Sequence, residues 1–205
     1  MKIYDTFPQY SKEYWAAHRG KPSASCFDSL ITTKKMEYAA SSQDYINQLI
    51  ADMYDMTYPP VDQMTSAAMR HGIMAEPQTR RWVEMEMETT VRQVGLVESD
   101  DGKFVCSPDG LIDDEQAGLE LKNPTAKVQV SYLRAGNVVP PQYLPQVHGS
   151  LLISGLKKWW FVSYRPDLPV IKVLVEPNEF TEKLRGYMDR FYAEFMAALE
   201  TIKGM

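Results

Sequence analysis

The sequence predicts an α/β protein in which a central mixed β-sheet is flanked by helices. Helical spacing of apolar residues dominates at both ends of the chain, whereas the middle carries strand-like alternation and turn residues. With 205 residues, of which 44% are hydrophobic, the chain can bury one sizeable core. We therefore expect a single domain over residues 1–205.

Short helices are predicted near the N-terminus. Ser11 is placed to cap a helix that runs to His18. Ser25 is placed to cap the next one, because Asp28 follows three residues later as in a capping box.

Two longer helices are expected next. Ser42 starts the helical segment QDYINQLIADMYD, which the sequence TYPPVD at residues 57–62 should end. A further helical pattern runs from about residue 65 to 88 and contains Pro77. Because proline lacks an amide hydrogen and clashes with the preceding turn, we expect a kink there or a new helix just after Glu76.

The middle of the chain predicts two hairpins. TTVRQVGLVE (89–98) and FVCS (104–107) have strand-like composition, and the turn DDGK (100–103) joins them. The segment GLIDDEQAGLELKN (110–123) predicts a second hairpin with Gly118 at its return.

The C-terminal half predicts helices and paired strands in alternation. Two helices, TAKVQVSYLRA and PQYLPQVHGSLLIS, precede the strands KKWWFVSY and VIKVLVE, which the turn RPDLP joins. Of the adjacent Trp159 and Trp160, one ring should enter the core, and the other is free to face a partner or a neighbouring subunit. The last segment, 179–202, has helical apolar spacing and should pack on the sheet.

Composition indicates a soluble cytoplasmic protein. No apolar run is long enough to cross a bilayer, and the N-terminal residues lack a basic-then-apolar signal. Cys26 and Cys106 are too few for a disulfide framework or a four-cysteine metal site, as expected in a reducing compartment.

Charge does not decide the function. The formal net charge of −5 argues only weakly against a polyanionic partner, because a local basic groove sets the field that a ligand meets. Basic residues occur in pairs, each of which alone indicates ordinary solvated positions: Arg19 with Lys21, Lys34 with Lys35, Arg80 with Arg81, and Lys157 with Lys158.

The segment CSPDGLIDDEQAGLELKNP (106–124) carries the candidate chemistry. In the predicted strand GLELK, Glu120 and Lys122 share one face, and a hairpin would bring Asp109 beside Glu120. Adjacent carboxylates repel each other, and a divalent cation relieves that cost; oxygen ligands favour Mg²⁺ or Mn²⁺ over zinc. An ammonium group beside such a metal can orient a water molecule and stabilise charge on a phosphoryl oxygen. These are the groups that phosphodiester hydrolysis requires.

The same acids also suggest a solvated turn or a calcium-binding loop. Asp113, Asp114 and Glu115 fall where a solvated hairpin turn is expected. A calcium loop that starts at Asp109 fails at Leu111, which offers no side-chain oxygen, and at Asp114, where glycine is needed. A spaced Asp followed by Glu-x-Lys is by itself a weak pattern, which leaves nuclease and structural readings about even.

The wider sequence resembles the lambda exonuclease family, also called YqaJ-type viral recombinases, within the PD-(D/E)XK nuclease superfamily. SPDGLI…GLELKNP is similar to the signature of that family. Three more segments match it in the same order: YWAAHRGKPSAS, MRHGIMAEPQTRRWVE and QYLPQVHGSLLISG. Together they span Trp15 to Tyr164 and imply a restriction-endonuclease-like core.

The resemblance implies roles at one metal site. Asp109 and Glu120 would hold the metals with the carbonyl of Leu121, and Lys122 would position the attacking water. Glu76 would reach the second metal, usually through water. The amide of Gln146 would line the same site.

The resemblance also implies a grip on the 5′-terminal phosphate by Arg19 and Ser25. The family has a lysine where this chain has Ala67, so Lys21 or Arg70 would have to replace it. His71 stands where the family has an aromatic residue, and Pro77 directly after Glu76 is unusual. His71 and His148 lack matched spacing for zinc and are expected to pack or hydrogen-bond.

The implied activity is Mg²⁺-dependent (or Mn²⁺-dependent) 5′→3′ digestion of double-stranded DNA ends, with two ions per site. The products would be 5′ mononucleotides and a 3′ single-stranded overhang. Family members form trimeric rings and hand the strand to an annealing protein of the lambda Red or RecT type, in a phage or prophage module of a bacterial cytoplasm. The alternatives are an endonuclease or repair nuclease of different polarity, and an inactive nuclease fold that binds DNA ends or acts as a scaffold.

Overall fold

A computed structural model of the protein describes residues 1–55 and 67–205. In these residues, seven strands form two sheets that helices flank, which confirms the predicted α/β class. None of the helices in the described ranges is both long and apolar enough to cross a bilayer.

The smaller sheet is antiparallel and has the order β1 (Lys2–Tyr4), β2 (Leu96–Glu98), β3 (Val105–Cys106). The DDGK turn joins β2 and β3 as predicted, with Glu98 opposite Val105. The strand predicted over 89–98 is shorter than expected, and β1 was not predicted at all.

The larger sheet is mixed and carries the candidate site. Its order is β4 (Gly110–Ile112), β5 (Ala117–Lys122), β6 (Lys158–Ser163), β7 (Ile171–Val175). The two outer pairs are antiparallel, and β5 runs parallel to β6. The crossover between β5 and β6 contains α4 (Ala126–Ala135), a 3₁₀ turn and α5 (Leu144–Ser154).

The placement of Gly118 at the return of the second hairpin is wrong. The turn lies at residues 113–116, and Gly118 is the second residue of β5. A Cβ atom there would lie 2.3 Å from the ring of Trp159, which is fully buried on the neighbouring strand. Glycine is therefore needed for close packing between strands. Trp160 is partly exposed, and its indole nitrogen donates to Glu115 at 2.7 Å.

One of the two predicted N-terminal caps is correct. Helix α1 spans Lys12–His18, and the hydroxyl of Ser11 accepts a hydrogen bond from the amide of Tyr14 at 3.1 Å. The cap predicted at Ser25 is wrong, because a 3₁₀ helix already begins at Ala24 and extends over Ala24–Ser29. Ser25 lies inside this turn with an exposed side chain.

Helix α2 spans Ser42–Tyr54 and begins where predicted. The break expected at residues 57–62 lies outside the described residues. Helix α3 spans Ala67–Met87 and continues through Pro77, so no second helix begins after Glu76.

Two clusters of apolar side chains position these elements. In the larger one, the C-terminal helix α6 (Glu179–Lys203) packs with α5 and α2, and strands β6 and β7 contribute Trp159, Phe161, Ile171 and Val175. In the smaller one, Val83 of α3 packs with Leu119 and Leu121 of β5. This second cluster sets α3 across the strand that carries Glu120.

Candidate active site

The second hairpin places two acidic residues opposite each other. Gly110 pairs with Leu119, and the amide of Asp109 donates to the carbonyl of Leu119 at 3.0 Å, so Asp109 faces Glu120 across the ladder. The amide of Leu121 donates to the Asp109 carboxylate at 2.6 Å. The Asp109 carboxylate is thus fixed at the N-terminal end of β4.

Lys122 lies on the same face of β5 as Glu120, as the alternation predicts. Its ammonium forms an ion pair with the Glu120 carboxylate, reaches the side-chain oxygen of Gln146 at 3.3 Å and lies 4.9 Å from the ring centre of Tyr143. Burial lowers the pKa of Lys122, but the charges of Glu120 and Asp109 outweigh it and raise the pKa above its ordinary value. Lys122 is therefore a permanent cation in this site.

The electrostatics around Asp109 fit a bound cation. Burial, followed by the negative charges of Glu120 and Glu76, raises the pKa of Asp109 well above its ordinary value. The amide and carbonyl of one strand residue point to the same edge, so the Leu121 carbonyl lies on the Asp109 side of β5. Two carboxylates and a carbonyl form an all-oxygen donor set that suits Mg²⁺ or Mn²⁺.

Glu76 approaches the same site from α3 and is held by Arg80. The Arg80 guanidinium pairs with the Glu76 carboxylate and donates to the carbonyl of Asp109 at 3.3 Å. Burial raises the pKa of Glu76, and Arg80 partly opposes that shift. In residues 1–55 and 67–205, no three His, Cys, Asp or Glu side chains gather closely enough to hold a metal, so Glu76 does not complete a three-acid cluster.

Arg80 is a site residue that the sequence analysis missed. It was grouped with Arg81 as a solvated pair, but its exposed fraction is only 9%. The available signal was its spacing four residues after Glu76 on a predicted helix, which favours an ion pair.

A main pocket of about 410 Å³ joins the acidic site to the N-terminal region. Asp109, Glu120, Lys122 and Gln146 line one end, and Ser25 lines the pocket as well. The 3₁₀ helix that carries Ser25 packs against α5, which carries Gln146. Ser25 is thereby brought into the same cavity as the predicted catalytic residues.

The structure does not bring Arg19 into this pocket. Its guanidinium donates to the carbonyls of Asp52 (2.7 Å), Met53 (3.1 Å) and Asp55 (2.5 Å) at the end of α2. A cation is favourable there, because the last carbonyls of a helix lack intrahelical partners. The phosphate-binding role of Arg19 stays a prediction.

The two candidate replacements for the missing family lysine lie in different surroundings. Lys21 pairs with Glu98 at 2.5 Å, and Arg70 is exposed on α3. The side chains of Ala67 and His71 lie outside the described part of the structure. His148 is buried and bonded to the Thr181 hydroxyl at 2.8 Å, and burial lowers its pKa to about 4, so it packs as predicted.

A side pocket of about 400 Å³ lies on the other side of Asp109. Glu76 and Arg80 line it, and it shares Gln9, Tyr10 and Asp109 with the main pocket. Burial and the charges of Asp109 and Glu76 raise the pKa of Tyr10. No motif in the sequence had pointed to Tyr10.

Comparisons with known proteins agree with this geometry. The YqaJ-like viral recombinase domain matches residues 13–157, well over half of the chain. An alkaline exonuclease from Laribacter hongkongensis is 29% identical, with a TM-score of 0.80 over 94% of this chain and 96% of that one. The same enzyme in complex with dAMP is 28% identical at the same TM-score and coverage. A phage-related exonuclease from Haemophilus somnus, 11% identical with a TM-score of 0.60 over 87% of this chain and 96% of that one, shares the fold. No curated protein matches the chain.

Proposed function

Because the chain belongs to the YqaJ-like viral recombinase family, we propose that it is a metal-dependent nuclease that digests linear double-stranded DNA in the 5′→3′ direction. It releases 5′ mononucleotides and leaves a 3′ single-stranded overhang. One observation carries this proposal: Asp109, Glu120 and Lys122 converge in the same pocket as Ser25. The proposal also draws on the likeness to an alkaline exonuclease over almost the whole chain.

Asp109, Glu120 and the Leu121 carbonyl would hold Mg²⁺, with Mn²⁺ as a substitute, and Glu76 would contribute to a second ion. When bound, these ions lower the pKa of a water molecule and stabilise charge on the phosphoryl oxygens. For Glu76 to serve, its carboxylate must exchange part of its pairing with Arg80 for the ion. Arg80 would then remain beside the Asp109 carbonyl and limit the movement of the Glu76 side chain.

Lys122 acts as a fixed cation. In the absence of metal, its raised pKa keeps the ammonium protonated at neutral pH. Beside the ions, this ammonium would orient water and stabilise negative charge. Gln146 accepts from the ammonium and so limits its position.

The polarity of digestion would follow from the distance between two sites. Ser25, with Arg19 or another cation, would hold the 5′-terminal phosphate, while the acidic site cleaves the bond one nucleotide inward. For Arg19 to take part, its side chain has to leave the carbonyls at the end of α2. Such a fixed spacing yields mononucleotides.

The biological setting follows from the family. We propose a homotrimeric ring that encircles duplex DNA, with a single-strand annealing protein of the lambda Red or RecT type as partner, in a phage or prophage recombination module of the bacterial cytoplasm. In a ring, only the channel lining has to be basic. The acidic total charge of −5 is compatible with that arrangement.

The decisive experiment digests linear duplexes labelled at either the 5′ or the 3′ end, with Mg²⁺ or with EDTA. We expect release of the 5′ label as a mononucleotide, only with the metal. Early release of the 3′ label would exclude the polarity, and cutting of closed circular DNA would indicate an endonuclease. End binding without digestion would indicate an inactive nuclease fold.

Matched variants separate the site from the rest of the hairpin. Asp109→Asn and Lys122→Ala should each reduce digestion by at least about 100-fold, in line with the loss of a group that stabilises a transition state. Asp113→Asn is the control, because Asp113 lies in the exposed turn of the same hairpin and bonds to Arg92 at 2.7 Å. Equal activity of Lys122→Ala and Asp113→Asn would remove Lys122 from the mechanism.

A further inference from the structure

Tyr10 occupies an unusual position beside the candidate active site. Its backbone is in the left-handed region (φ 65°), which costs free energy for a residue with a side chain. Tyr10 is 41% exposed, so burial of its ring does not explain this backbone conformation. Such an outlier persists only where the surrounding structure determines it.

Contacts on both sides of Tyr10 hold its loop in place. The side-chain amide of Gln9 donates to the carbonyl of Pro108 at 2.9 Å, directly before Asp109. A Cβ atom added to Gly95 would lie only 2.3 Å from the carbonyl oxygen of Phe7. The loop therefore packs closely against the residues that precede β2. After Tyr10, Ser11 caps helix α1. The loop is therefore anchored to the strand region that positions Asp109.

The ring of Tyr10 lies at the boundary between the main pocket and the side pocket. The two pockets share only Gln9, Tyr10 and Asp109 among the described residues that line them. On the main-pocket side, Tyr10 packs against Tyr14 (5.7 Å between ring centres) and Trp15 (6.1 Å). Tyr14 is itself fixed by a hydrogen bond of 2.9 Å with Ser107. A partly exposed ring is thus held beside Tyr14 and Trp15, in the pocket that Asp109 also lines.

We propose that the Tyr10 ring is a stacking platform for the base of the 5′-terminal nucleotide while the bond on its 3′ side is cleaved. This inference rests on the proposed function. If the 5′-terminal nucleotide enters the main pocket, where Ser25 and the acidic residues lie together, its base leaves the stack of the duplex. An aromatic face replaces part of the lost stacking and accepts any base, because every base has a π-face. Tyr10 is in this sense a positioning residue, which fixes the terminal nucleotide relative to Asp109.

The main pocket, not the side pocket, is assigned to the terminal nucleotide. Ser25 and the acidic residues line the main pocket together, whereas Ser25 does not line the side pocket. The aromatic neighbours of Tyr10 also belong to the main pocket.

The test compares Tyr10→Gly with Tyr10→Phe on three substrates. Glycine removes the ring contacts but favours a positive φ, so relief of the backbone strain offsets part of the lost packing and Tyr10→Gly should still fold. On an ordinary 5′-phosphorylated duplex, we expect Tyr10→Gly to lower kcat/KM for the first nucleotide by about 10-fold, and Tyr10→Phe to lie within about twofold of the native protein. Tyr54→Ala, at an exposed tyrosine at the end of α2, is the control and should match the native protein.

The second substrate carries an abasic residue at the 5′-terminal position. There the native protein and Tyr10→Gly should be equally active, because no base is present to stack; a general defect of the variant would persist on both substrates. A duplex with the abasic residue at the second position should restore the full difference. Coupling of Tyr10 to the second position instead of the first, or a loss that is equal on all three duplexes, would overturn the platform.

The outcome is separable from failure of the proposed function. If the native protein digests no duplex with any divalent metal, both proposals fall. If it digests from the 5′ end and Tyr10→Gly digests equally well, only the platform falls.

Discussion

Replacement of Lys122 by methionine tests whether the Glu120–Lys122 pair lies in a desolvated site. The Glu120 side chain is 3% exposed and the Lys122 side chain is 24% exposed, so the carboxylate is the more deeply buried partner. Removal of one partner from a buried pair costs about 3–5 kcal/mol, because the other charge stays buried without compensation. Since a quarter of Lys122 is exposed, we expect a loss of about 2–3 kcal/mol in the free energy of unfolding. For a chain of this size, that loss lowers Tm by about 4–12 °C.

The assay is urea unfolding in EDTA, with the double variant Glu120→Gln/Lys122→Met as the matched control. The double variant buries neither charge, so its stability should return to within about 1 kcal/mol of the native protein. Both variants should lack digestion, which separates stability from activity. A Lys122→Met protein as stable as the native chain would show that water compensates Glu120, and the reasoning about desolvation would be wrong.

Adding a divalent metal gives a second comparison between the native protein and Lys122→Met. Lys122 and a metal ion compete for the Glu120 carboxylate. A ligand that binds the folded state stabilises the protein more when it binds more tightly. Mg²⁺ should therefore raise the stability of Lys122→Met by more than it raises that of the native protein. Equal increments would indicate that the metal does not bind at Glu120.

Two further predictions concern packing and pH. Gly118→Ala should lower the free energy of unfolding in urea by at least about 2 kcal/mol, because its Cβ would collide with the Trp159 ring. Gly186→Ala is the control and should be neutral or stabilising, because nothing lies within 4 Å of its Cβ position. Equal effects of the two substitutions would contradict the strand packing. His148 has a pKa of about 4 in the folded protein and about 6.5 in the unfolded chain. Between these pH values the unfolded state binds more protons, so the free energy of unfolding falls as the pH is lowered through this window. The slope is up to about 1.4 kcal/mol per pH unit. His148→Gln should lack this contribution in thermal unfolding at pH 7, 6 and 5, and parallel pH profiles of the two proteins would exclude it.

The part of the site that local sequence determines was predictable. In GLELK, strand alternation alone places Glu120 and Lys122 on one face, and the hairpin alone places Asp109 opposite Glu120. These relations need only the two-residue period and a short turn. The turn acids Asp113 and Asp114 were also assigned correctly, and both are exposed.

The rest depends on contacts between distant segments. Gly118 was placed in a turn because glycine is common there, but the reason for glycine is Trp159, 41 positions later in the sequence. Arg80 was assigned to the surface because a basic pair is usually solvated, but the packing of α3 on β5 buries it. Tyr10 had no local signal, because its position depends on how its loop meets the chain around Pro108 and Gly95. Periodicity cannot supply such contacts.

The charges that line the main pocket lead to a prediction about DNA binding. Among its described lining residues, Lys122 is the one Lys or Arg, against the carboxylates of Asp52, Asp109 and Glu120. Without metal, this pocket should repel a phosphate. Each unit charge at about 4 Å contributes on the order of 1 kcal/mol even in water. The variant Asp109→Asn/Glu120→Gln removes two such charges, so it should bind duplex ends in EDTA about 30-fold more tightly than the native protein.

Fluorescence anisotropy with a 5′-phosphorylated duplex at fixed ionic strength measures this difference, and higher salt should reduce it. Asp113→Asn/Asp114→Asn removes the same formal charge from the exposed turn and serves as the control. If the turn variant gains as much affinity as the site variant, total charge explains the effect. If neither gains, the phosphate does not approach Asp109 and Glu120, and the main pocket is not the path of the DNA end.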